Sequence, residues 1–73
     1  MIQNPAYYQM VLDTLSTALE DARPAVRAKA AEALGKIGDV AMVPILVKAL
    51  KDTSPEVRSS VIQALKQLIL NEA

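Results

Sequence analysis

Two Asp–Arg couples recur at a fixed spacing in this sequence and are the residues best placed to hold an anion. Asp21 and Arg27 return as Asp52 and Arg58. A guanidinium presents a planar fork of donors that suits phosphate or carboxylate, so two forks in one phase could clamp an anionic ligand. The same phase suits a ladder in which guanidinium and carboxylate hold adjacent units in register. The strict recurrence favours the structural ladder, made of Asp21, Arg27, Asp52 and Arg58. The remaining carboxylates, from Asp13 to Glu72, are scattered as caps, first-turn residues or solvated faces, and no spacing brings two of them into one cleft. Ser and Thr have no His to activate them, and Gly35 and Gly38 lack the Lys-Ser/Thr ending of a phosphate loop. Tyr7 and Tyr8 are the only aromatics. One is expected to pack on a neighbouring helix, and the other could serve as a contact residue.

Composition narrows the chemistry further. The 73 residues include no Cys and no His, so thiolate sites, disulfides and the commonest general base are all missing. Lys plus Arg and Asp plus Glu number 8 each, which leaves no basic excess for nucleic acid. The longest apolar stretch, Val40 to Val47, is interrupted by Pro44 and falls well short of the roughly 18 residues of a membrane span. The first residues lack the basic and apolar segments of a secretory signal, so a soluble, cytoplasmic setting is expected. No catalytic, cofactor or metal residues are expected.

The elements that carry the couples are themselves repeated. Residues 18–34 read ALEDARPAVRAKAAEAL and residues 49–65 read ALKDTSPEVRSSVIQAL, an offset of 31 that also separates Leu19 from Leu50. Ala18, Leu19, Asp21, Pro24, Val26, Arg27, Ala33 and Leu34 are all retained in the second copy. Recurring Ala and Leu are commonplace in helices, whereas Asp, Pro and Arg in common register are the mark of a tandem repeat. Pro24 and Pro55 suit first turns, with Ser54 a better N-cap than Arg23. Val26, Ala30, Ala33, Leu34 and Ile37 form the apolar stripe of one helix, ended by Gly35 and Gly38. Asp39 caps the next, whose buried stripe is Val43, Leu46, Val47 and Leu50; Pro44 sits late in its first turn and predicts a loose or kinked start. Asn4 and Pro5 open a helix to about Glu20, and Pro55 opens one to about Leu70. The pattern predicts an all-α chain of four antiparallel helices, an α-solenoid of two helix-pair repeats in one domain over residues 1–73.

PAVRAKAAEALGKIGD, followed by AMVPILVKALKD and then SPEVR, resembles the short HEAT-like repeats of phycobilisome bilin lyases and many other proteins. The resemblance covers residues 10 to 70. Within that pattern the last helix departs, with Ser59, Ser60 and Gln63 in the usual Ala- and Glu-rich run and Lys66 where glycine stands in the first copy. The resemblance implies a curved scaffold whose second helices line a concave, partner-binding surface. On that surface it places Met10, Asp13, Thr14 and Thr17, and beside them Ala41, Pro44, Ile45 and Lys48, with Ile45 exposed. A protein or peptide partner is expected, with no nucleic acid and no membrane. The alternative that the resemblance allows is an accessory domain that holds a bilin chromophore or its carrier protein. In the last helix, Val61, Leu65 and Leu68 can pack inward. Ile62 and Ile69 then form an unpartnered stripe that a further repeat, a second copy of the chain in self-association, or a binding partner could cover.

Overall fold

A computed structural model describes residues 4–70, so Glu72 lies outside the described residues. Four helices follow one another through short turns: α1 over Pro5–Ala18, α2 over Pro24–Ile37, α3 over Val43–Ala49 and α4 over Pro55–Leu70. No strand occurs among the described residues. The all-α stack of antiparallel helix pairs is therefore the observed architecture.

Each helix boundary has a local cause. Asn4 accepts the Ala6 amide at 2.8 Å and Pro5 takes the first position of α1, where its missing N–H costs nothing. Arg23 gives α2 no side-chain cap. The turn is tied instead by Asp21, whose carboxylate accepts the Arg23 amide at 2.8 Å. Asp52 repeats this on the Ser54 amide at 2.9 Å, again three residues before a proline. Such aspartate turns explain why Asp and Pro recur together. Gly38 closes α2 at φ 80°, a left-handed conformation that glycine adopts without a Cβ clash. Asp39 then accepts the Ala41 amide at 2.9 Å and starts a 3-10 turn over Val40–Met42. This tight turn before Pro44 is the predicted loose start, and it shortens α3 to seven residues.

Packing follows the repeat. α2 lies along α4, α1 packs on α2 and α3 packs on α4. With a thickness of 18 Å, the molecule is two helix layers deep, α2 and α4 in one and α1 and α3 in the other. Leu34, Leu46, Val57 and Val61 are fully buried between them. Three sequence expectations need correction. Ala28, Ala31 and Gly35 are buried in α2 beside the predicted Ala30 and Leu34, while Val26, Ala33 and Ile37 are only half-buried. A helix flanked by both α1 and α4 buries two faces, so a single-stripe reading undercounts it. Gly35 is also no cap: a methyl there would stand 2.7 Å from Ala64 Cα, so its missing side chain is what lets α2 approach α4. Val47, expected in the core, is 50% exposed. It is the repeat equivalent of Ser16, which turns from α1 toward the start of α3 and meets Met42. Among the described residues nothing stands beyond α3 to do the same for Val47.

Candidate partner-binding surface

The Asp–Arg couples sit at the joint between the repeats. Arg27, on the first turn of α2, grips Asp52 with two parallel bonds, Nε at 2.8 Å and Nη2 at 3.0 Å. Its third nitrogen donates to the Asp21 carbonyl at 2.7 Å and the Ala22 carbonyl at 3.1 Å. Both side chains are nearly enclosed, at 12% and 11% exposure. The Arg27 bonds and the Ser54 amide hold the Asp52 carboxyl below the usual carboxylate range, and Arg27 is stabilised in its charged form. With every nitrogen committed, Arg27 has no fork left for a free anion. Its bonds bridge the turn before α2 and the turn before α4.

The ladder is incomplete at both ends. Arg58 repeats only the carbonyl bond, to Asp52 at 2.6 Å, and makes no ion pair among the described residues. At the other end Asp21 takes a local substitute. Arg23 bonds it through Nε at 3.0 Å and Nη2 at 3.1 Å, and this guanidinium chiefly pushes the Asp21 carboxyl down to about 2. Of the four ladder residues predicted, one Arg–Asp pair is thus closed across the repeats.

The residues expected on the second helices fall on the outer side of the α1–α3 layer. Met10, Asp13, Thr14 and Thr17 on α1 are exposed, as are Ala41, Pro44 and Lys48 around α3. Met10 and Thr14 border a shallow apolar hollow with Val11 and Leu15. Asp13 accepts Gln9 at 2.9 Å and Thr17 bonds back to the Asp13 carbonyl at 3.1 Å, so both are tied to their own helix. Ile45 departs from expectation. It is half-buried and packs against the core, on the helix that packs on α4.

Between the two helices lies a groove of about 290 Å³ that the sequence did not single out. Leu19, Ile45 and Ala49 supply apolar walls, while Glu20, Lys48 and Lys51 border it with charge. Two of its lining residues, Ile45 and Lys48, were expected on the binding face, and Glu20 and Lys51 stand at equivalent points of the repeat with opposite charges. At the far end the helices are pinned together: the Tyr8 hydroxyl donates to Asp39 at 2.8 Å. That bond makes the phenol harder to ionise. The Ala41 amide and then the Tyr8 bond keep Asp39 ionised below the ordinary range. Tyr8 is therefore the tyrosine that packs on a neighbour, and Tyr7 is 61% exposed.

Among the described residues no group of three or more acidic side chains is placed to hold a metal ion. No helix there is long and apolar enough to cross a membrane. No curated protein and no solved structure matches the chain. The family model for HEAT repeats matches residues 3–73. With two layers of paired helices, an Asp–Arg clamp at the joint and a match along nearly its whole length, the chain belongs to the HEAT repeat family.

Proposed function

We propose that the chain is a non-catalytic scaffold that binds a protein or peptide partner on the face formed by α1 and α3. HEAT repeats are generally protein-interaction scaffolds, and this chain's outer α1–α3 face has what such a contact needs. The groove between the two helices carries the reading: it joins apolar walls to Glu20, Lys48 and Lys51, which make no ion pairs among the described residues. By contrast, exposed charges on α2 are already engaged. Glu32 holds Lys29 and Lys36, each at 3.3 Å. Met10, Asp13, Thr14, Thr17, Ala41, Pro44, Ile45 and Lys48 are the contact residues of this proposal. Zero net charge favours a protein partner over nucleic acid.

Site-specific photo-crosslinking tests it. A crosslinker in place of Thr14 or Lys48 should trap a discrete partner in the source cell, and one in place of Lys29 on α2 should not. Trapping from Lys29 alone would refute the reading. Addition of a bilin is the second arm. A pigment spectrum shifted by the chain would favour the chromophore-holding alternative.

A further inference from the structure

The α1–α3 groove has a composition that selects among peptides. Its walls are aliphatic: Leu19 is 8% exposed, and Ile45 and Ala49 pack against the same core. A volume of about 290 Å³ is at the small end of ligand sites and suits one or two aliphatic side chains rather than a folded element. The charges around it do not cancel. Asp52 reaches the groove, but both of its oxygens are held by Arg27. Lys48 and Lys51 then face a single uncommitted carboxylate, Glu20, and none of the three makes an ion pair among the described residues. The groove is thus locally cationic in a chain with no net charge. An occupant that buries an aliphatic side chain and places a carboxylate over Lys48 and Lys51 satisfies both features, the charge fixing orientation more than affinity. Glu20, on the opposite wall, disfavours a second acidic group on its side and leaves one orientation preferred.

We infer that the α1–α3 groove is a docking site for a short peptide segment in which an aliphatic residue is followed or preceded by acidic residues on one side. This rests on the scaffold reading of the same face and narrows it to one class of partner sequence.

Fluorescence anisotropy with three labelled peptides tests the inference: Ser-Gly-Leu-Leu-Asp-Asp, its Asn-Asn analogue and its Lys-Lys analogue. The acidic peptide should bind about tenfold more tightly than the neutral one and lose that advantage in high salt. The double variant Lys48→Glu with Lys51→Glu should reverse the order and prefer the Lys-Lys peptide. Because these lysines are exposed, the variant should keep its helical circular dichroism. Amide shifts caused by the acidic peptide should centre on Leu19, Ile45 and Ala49. Equal binding of all three peptides, shifts centred elsewhere, or no binding at millimolar peptide would each overturn the inference. If crosslinks at Thr14 still trap a partner while the peptides fail, the groove assignment falls and the scaffold reading stands. Loss of both removes the scaffold reading as well.

Discussion

At the scale of residues, the one nearly enclosed ion pair among the described residues joins two repeats. Breaking such a pair by removing one partner strands the other, a larger loss than the pair's net worth. Arg27→Ala should therefore lower the melting temperature by on the order of 10 °C. Arg27→Lys should recover only part of that, since an ammonium cannot grip both Asp52 oxygens and the two carbonyls. Thermal melts followed by circular dichroism check both. An unaltered melt for Arg27→Ala would mean that the clamp is ornamental. Acid should act through the same groups. Asp21, Asp39 and Asp52 all have folded-state values below the ordinary 3.8, so the unfolded chain takes up protons first. Their contribution is complete above about pH 4 and is lost as pH falls through the folded values, that of Asp21 near 2. Melting temperature should drop steadily below about pH 4, and less steeply in Arg27→Ala, where the Asp52 shift is largely gone. A melt independent of pH between 5 and 2 would contradict this.

At the scale of elements, the contact of α2 with α4 depends on a missing methyl. Gly35→Ala places Cβ 2.7 Å from the Ala64 backbone, which cannot give way as a flexible side-chain end would. The helices must separate, at a cost of about 1–3 kcal/mol, even though alanine is the better helix former. Chemical denaturation measures this. A stabilised Gly35→Ala would show that the helices do not approach so closely. The sequence shows where elements start and end because capping chemistry is local: Asn4, Pro24, Gly38, Asp39 and Pro55 each act within a turn. Pro44 likewise announced an irregular start to the next helix, which the structure makes as a 3-10 turn. What periodicity could not show is how many faces a helix buries. Ala28 and Ala31 look like filler by type, and only the packing of α2 between its neighbours makes them core. Asp21, Arg27, Asp52 and Arg58 stood out because their phase equals the repeat, and of them Arg27 and Asp52 meet across it. The groove was not, since its walls come from the ends of two helices far apart in sequence, which no single helix encodes.

At the scale of the whole molecule, the second helix pair leaves several apolar residues uncovered. Ile62 and Ile69 on α4 are 51% and 56% exposed, and Val47 on α3 lies in the same situation at 50%. Ile62 is the repeat equivalent of Ala31, which is fully buried on α2, the helix that lies along α4, so the Ile62 face is the one proposed for contact with a further helix. Lys66 stands where Gly35 permits close approach, so a helix packing there cannot repeat the α2–α4 crossing. The proposed self-contact through Ile62 and Ile69 should consequently be weak. Sedimentation from micromolar to millimolar concentration should show a rise in mass that Ile62→Lys abolishes, with the dilute melting temperature unchanged. A native chain that stays monomeric throughout would contradict that contact. The groove and the outer face of α1 lie in the other layer, so the scaffold reading does not depend on it. Its most direct test is methyl NMR of the chain bound to its crosslinked partner. The account predicts that the methyl signals of Met10, Thr14, Thr17 and Ile45 shift or broaden while those of Val26 and Ile62 hold. The opposite pattern, with changes at Val26 and Ile62 and a silent α1–α3 face, would contradict it.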